Sequence, residues 1–184
     1  RLSADSEVVS SHDGDFGRVS GQSLIISEAH WRDLAKLDIG GAQPPMRLTG
    51  VLALAAGRAG VLVDVKTKEL DLAAAVMDCI VAANAIGSTV IGMRSLQQVR
   101  LVRERDERAQ CLGFVPDCDD IPRFFDAGAQ IVRAWEDDID HPAVIQALKD
   151  GRRVWATAGR RSVGEAPGFI TPERLAHLQE MGFE

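Results

Sequence analysis

The sequence predicts an α/β fold built on a parallel sheet. Five short apolar runs, 61–65, 89–93, 110–115, 130–134 and 153–157, lack the alternation of a strand with one wet face and read as strands buried on both faces. Helical segments separate them, and strand–helix alternation at this spacing requires parallel strands joined by right-handed crossovers. A doubly wound open sheet satisfies the same alternation, but no Gly-rich phosphate turn of the dinucleotide-binding kind follows any strand. A whole (β/α)8 barrel takes about 250 residues, more than the 184 present.

Taken in order, Val8 to Ser11 is a short strand followed by a polar, Gly-containing loop. Ser27 is placed to cap a helix carrying Trp31, Leu34 and Leu37, which Gly40-Gly41 closes. A loop from Ala42 to Pro45 leads into an apolar helix, 48–56, ended by Gly57. The first parallel strand, 61–65, is followed by a helix from Leu70 to about Ala85. The second, 89–93, precedes a helix from Leu96 to about Glu107, and the third, 110–115, a short helix over 121–125. The fourth, 130–134, is followed by a helix over 143–149 stopped at Gly151, and the fifth spans 153–157. Thr171-Pro172 opens a last helix, with an N-cap and a proline at its first position, ending near Gly182.

Composition narrows the function classes. Residues 1–184 can share one sizeable core, so a single domain is expected, with a small insertion at about 14–45. The net charge of −6 argues against a nucleic-acid binder that relies on a basic surface, and leaves a local cationic pocket open. The alternating charges from Arg103 to Arg108 read as a solvated helix face. Cys79, Cys111 and Cys118 are odd in number and lack metal-ligand spacing, so free or buried thiols in a reducing, cytoplasmic setting are expected. No apolar run is long enough to span a bilayer.

Two segments carry chemistry. The strand at Val8-Val9 delivers His12 and Asp13 at its end, where α/β enzymes keep functional side chains. The strand at 61–65 puts Asp64 and Lys66 on one face, two residues apart. A proton shuttle, a carboxylate suited to a metal and a cation suited to phosphate are the parts of a phosphodiesterase. The plainer reading of Asp64 and Lys66 is a mutual ion pair, and a lysine can bridge a carboxylate and a phosphate at once.

The sequence resembles the glycerophosphodiester phosphodiesterase family. His12-Asp13-x-x-Phe16-x-Arg18 stands where that family has His-Asp-x-x-Leu-x-Arg, and Leu37-Asp38-Ile39-Gly40 is similar to its Leu-Asp-x-Gly helix end. Asp64-Val65-Lys66 matches Glu-x-Lys, and the segment Gly151 to Thr157 resembles Gly-x-x-Val-x-x-Trp-Thr, with Trp155 at a shifted spacing. The resemblance implies a (β/α)8 TIM barrel, incomplete in this chain. The strands ending in His-Arg-Gly and Glu-x-Asp are expected ahead of Arg1, and a final strand after Gly182. On that basis residues 1–184 hold strands three to seven, are expected to have little activity alone, and expose sheet edges that favour self-association.

The resemblance also implies roles. His12 transfers the proton when a neighbouring glycerol hydroxyl attacks phosphorus. Asp64 is a ligand of a divalent ion, Ca²⁺ or Mg²⁺, one methylene shorter than the family's Glu. Lys66 contacts the phosphate, and Trp155 packs against the glycerol of a small glycerophosphodiester substrate. The products are glycerol 3-phosphate and an alcohol. Asp13 and Arg18 are expected to tie down their loop. Trp135, with Glu136, Asp137 and Asp138 behind it, sits after a strand where it could line a rim, and the plainer reading, a solvated acidic loop, is preferred. Ile91-Gly92-Met93-Arg94-Ser95 departs from the family's Ser-Phe strand end, and Arg94 is assigned no ligand role. A non-catalytic barrel remnant that binds a phosphate ligand or a protein is the alternative, and a sphingomyelinase-D-like or phosphoinositide-phospholipase-like barrel stays open.

Overall fold

A computed structural model describes residues 1–41 and 44–184. Of the expected loop at 42–45, Ala42 and Gln43 lie outside the described residues.

The chain begins with a two-stranded antiparallel ribbon. β1 (Val9–Ser10) pairs with β2 (Met46–Arg47), Val9 opposite Arg47 and Ser10 opposite Met46. Between them lie two one-turn helices, α1 (Gly17–Ser20) and α2 (Trp31–Leu34), with a 3-10 turn at Ile26–Glu28. This insertion has a small core of its own, made of Val9, Phe16, Ile26, Ala29, Leu34 and Leu37. Ser27 is not the expected cap, because it sits inside the 3-10 turn. His30 is the N-cap residue of α2 and makes no side-chain cap bond; instead the Asp5 carboxylate accepts from the Trp31 N–H at 2.9 Å. A cap supplied from so far back in the chain leaves no local sequence signal.

After α3 (Leu48–Ala55) comes the parallel sheet: β3 (Val61–Asp64), β4 (Thr89–Met93), β5 (Gln110–Gly113), β6 (Ile131–Trp135) and β7 (Arg153–Thr157). The helices α4 (Leu70–Ala82), α5 (Leu96–Arg105), α6 (Ile121–Asp126) and α7 (Pro142–Lys149) alternate with the strands, and α8 (Pro172–Glu180) follows β7. The Thr171 side chain caps α8 as expected, accepting from the Arg174 N–H. Strand order in space is β3-β4-β5-β6-β7, each parallel to the next. A doubly wound sheet reverses its order at a switch point; this one runs in sequence order throughout.

Registration defines two faces. Val61, Val63, Ile91, Met93, Cys111, Val132, Ala134 and Val154 join the main core with Leu72, Val76, Met77, Ile80, Val99, Val102, Phe124 and Val144 from the helices. The alternate positions, including Asp64, Gly92, Leu112, Arg133, Trp135 and Trp155, project to the other face, called inner below. Full burial on both faces holds for the central strands, where Leu112 and Ile131 are wholly enclosed. It fails at the edge, where Leu62 on the inner face of β3 is 49% exposed.

Two glycines are fixed by close approach. A Cβ on Gly113 would lie 2.6 Å from the ring of Phe124, which α6 packs against the sheet. A Cβ on Gly92 would lie 2.2 Å from the Phe114 ring, which crosses the inner face just beyond β5. Phe124 is buried and cannot swing away. Gly113→Ala is therefore expected to cost about 1–3 kcal/mol through overpacking, read as a lower urea midpoint with an unchanged slope.

Candidate functional site

The inner face gathers its polar groups at the C-terminal ends of the strands. Asp64 ends β3, and its two oxygens accept from different cations, Lys66 Nζ at 2.6 Å and Arg94 Nη2 at 2.7 Å. Arg94 Nε donates to the Val65 carbonyl at 3.0 Å, so the guanidinium bridges two points of the β3 end. Gln98, fully buried at the start of α5, fixes both loops. Its Oε1 accepts from the Arg94 N–H at 3.0 Å, and its Nε2 donates to the carbonyls of Thr67 and Glu69. The side chains of Asp64 and Lys66 are mostly enclosed, 29% and 17% exposed.

His12 stands on the rim, 74% exposed, two residues past the end of β1. Its Nδ1 is 2.7 Å from Asp13 Oδ1, and Arg18 Nε donates to Asp13 Oδ2 at 2.8 Å. Asp13 and Arg18 thus tie down the loop, as the sequence suggests. These two partners hold the Asp13 carboxyl below its ordinary range, His12 contributing most. With Asp13 as acceptor the imidazole carries its proton on Nδ1, leaving Nε2 free to accept one. His12, Asp64 and Lys66 line one cavity of about 300 Å³, with Arg1 and Val63 among its other walls. Trp155 is not among its lining residues. The indole lies on the inner face level with Arg133, and its Nε1 donates to Glu184 at 3.2 Å.

Arg94, left without a role by the sequence, joins this site directly. Its guanidinium also lies over the Phe114 ring, which Arg133 approaches as well. Arg133 and Arg161 both stack on Trp135. The spacing that singles out Asp64 and Lys66 also relates Arg133 and Trp135, two residues apart at a strand end.

The acidic loop after β6 is a correction. Glu136 is only 7% exposed, not solvated. Arg174 clasps it with Nε on one oxygen and Nη2 on the other, both at 2.5 Å, and the Gly159 N–H donates at 2.8 Å. Arg174 also reaches Glu165, which Arg160 bonds in turn, and Asp137 accepts from the Ser162 hydroxyl. The loops after β6 and β7 are thereby locked to α8. Glu136 burial depends on an arginine far along the chain, which the run Glu136-Asp137-Asp138 does not foretell.

The residues do not by themselves form a metal centre. Asp64 is one carboxylate with a cation on each oxygen, and among the described residues no group of three His, Cys, Asp or Glu side chains could hold an ion. The cysteines are free, as expected, and burial pushes the Cys111 thiol up to about 12. No helix among the described residues is long and apolar enough to cross a membrane.

Arg174→Met leaves Glu136 buried and short of its partner, and is expected to lower the urea midpoint at pH 7. Arg174 holds the Glu136 carboxyl below its ordinary 4.5, and Arg160 and Arg174 hold Glu165 down to about 2. A carboxylate with a lowered folded-state pKa contributes stability that is full above its unfolded value and lost as pH falls through the folded one. Wild-type stability should therefore decline from about pH 4.5 downward, and the gap to the variant should narrow over the same window, measured by urea unfolding at stepped pH.

No protein-family model matches the sequence, and no curated protein matches it. Solved structures do. A glycerophosphodiester phosphodiesterase from Parabacteroides distasonis aligns over 100% of this chain and 75% of its own, at 14% identity and a TM-score of 0.78. A glycerophosphoryl diester phosphodiesterase from the same organism aligns over 100% and 67%, at 18% identity and 0.72. A glycerophosphodiester phosphodiesterase from Agrobacterium tumefaciens aligns over 87% and 72%, at 19% identity and 0.71. Along its whole length, then, this chain has the fold of solved glycerophosphodiester phosphodiesterases.

Proposed function

We propose that this chain forms the greater part of a barrel-type phosphodiesterase that hydrolyses glycerophosphodiesters to glycerol 3-phosphate and an alcohol. The observation that carries the reading is the convergence of His12, Asp64 and Lys66 on one cavity that runs along β3, the edge strand of the sheet. Lys66 holds a phosphoryl oxygen as a point charge, and Arg94 presents a planar fork beside it. Asp64 aims both cations. His12 Nε2 accepts the proton of the glycerol hydroxyl as that oxygen attacks phosphorus. The new phosphorus–oxygen bond closes a cyclic ester, the bond to the alcohol breaks, and the proton taken up by His12 passes to the departing oxygen. Water then opens the ring to glycerol 3-phosphate.

The divalent ion expected at Asp64, Ca²⁺ or Mg²⁺, would act as a Lewis acid on the phosphoryl group. Asp64 keeps a second lone pair on each oxygen that could meet it, and the roles above stand on the side chains alone. Trp155 packs against substrate in this reading, beyond the cavity itself. Capture of Asp64 by two cations favours a second reading, a phosphate-binding module without turnover.

Steady-state assay of the native polypeptide that carries these residues, with glycerophosphoglycerol and either metal ion, separates the two. His12→Gln is expected to lower kcat about 10²–10⁴-fold with little change in KM, as loss of a general base does. Lys66→Met should raise KM by about tenfold or more through loss of a charge-assisted contact. Tight binding of glycerol 3-phosphate with no turnover under any metal would establish the module, and absence of both binding and turnover would sink both readings.

A further inference from the structure

The inner face carries more positive charge than one phosphoryl group requires. From Asp64 outward, cations and rings alternate: Arg94 lies 4.9 Å from the Phe114 centroid and Arg133 5.4 Å from the same ring. Arg133 is also 4.2 Å from the Trp135 centroid, and Arg161 is 4.0 Å from it. Arg94 is paired with Asp64, whereas among the described residues Arg161 has only Asp138, at 3.9 Å. Arg133 has no ion pair among the described residues, and its Nη1 is buried with no hydrogen-bond partner. A buried donor without an acceptor costs free energy and marks a place where an acceptor belongs. Burial, together with Arg161 and Arg94, pushes the Arg133 guanidinium below its ordinary range, so an arriving anion relieves it.

A pocket of about 250 Å³ opens beside this row, lined by Arg133, Trp135, Arg161, Asp138, His141 and Cys118 among others. Asp117 also lines it but accepts from the Asp119 N–H. A quaternary ammonium group seeks uncovered aromatic faces. Here Phe114 and Trp135 each already stack against two arginines.

Resting on the phosphodiesterase reading, we infer that the alcohol half of the substrate is anionic, a headgroup with its own phosphate or carboxylate that Arg133 and Arg161 receive. The reacting phosphoryl group sits with Lys66 and Arg94, and the row of stacked arginines carries the second charge away from it. Choline-type headgroups are disfavoured because both ring faces are already covered by guanidinium groups.

Calorimetric titration of the native polypeptide, held without turnover at low temperature, tests this with glycerophosphocholine, glycerophosphoglycerol, and glycerophosphoglycerol bearing a terminal phosphate. The terminal-phosphate probe should bind about tenfold tighter than glycerophosphoglycerol, and the choline probe weaker than both. Arg161→Gln, at a half-exposed position, should abolish most of that advantage and leave glycerophosphoglycerol binding unchanged. Arg133→Met should do the same, and where it fails to fold Arg161→Gln carries the test alone. Equal affinity for all three probes would overturn the anionic headgroup and leave hydrolysis standing. Binding of none would overturn the phosphodiesterase reading and this inference with it.

Discussion

Much of the site hangs on the carboxylate of Asp64. Placing one cation on each oxygen fixes the end of β3 to the end of β4 and sets the direction of Arg94. Enclosing such charges costs desolvation, which is offset only where every remaining donor finds an acceptor. Part of that is met locally: Arg94 Nε donates to the Val65 carbonyl, and Gln98 accepts from the Arg94 N–H and donates to the carbonyls of Thr67 and Glu69. A rigid strand edge results, and Arg94 turns its flat face to Phe114. That ring can lie where it does because Gly92, level with Asp64 in the sheet, has no side chain to block it.

The strands were the most legible part of the chain, for a physical reason. Parallel strands buried on both faces need unbroken apolar runs of a few residues, and 89–93 and 153–157 match the sheet at both ends. The antiparallel partner of β1 escaped because Met46-Arg47 is too short to carry a period. Within the site, Asp64 and Lys66 were readable from their spacing, and His12 from its place at a strand end. Arg133 and Trp135 bore the same signal. Three consecutive acids after Trp135 masked it, since a charge run reads as solvated unless its counterion is in view, and Arg174 is not.

Net charge illustrates the same limit. A total of −6 describes the surface a partner first meets and says little of one cleft. Acidic residues on the loops are largely spent on other arginines: Asp13 on Arg18, Glu165 on Arg160 and Arg174, Glu136 on Arg174. Lys66 lines one cavity and Arg133 and Arg161 another, with Asp64 and Asp138 as the ion-pair partners of Lys66 and Arg161. Low-dielectric walls focus such a field, so an acidic protein can still draw an anion into one place.

His12 poses a different problem, because its support comes from another packing unit. Neighbouring residues of an extended segment point to opposite sides. Val8 packs into the main core with Leu48 and Leu52, and Val9 into the small core with Phe16 and Leu34. The dipeptide Val8-Val9, where the chain enters β1, is thus the seam between the two cores. His12 lies just past that seam, and its distance from Asp64 is set by how firmly Val8 and Val9 are gripped. Buried methyl groups on either side therefore bear on where the imidazole stands, as Asp13 does, although none of them touches the imidazole's partner.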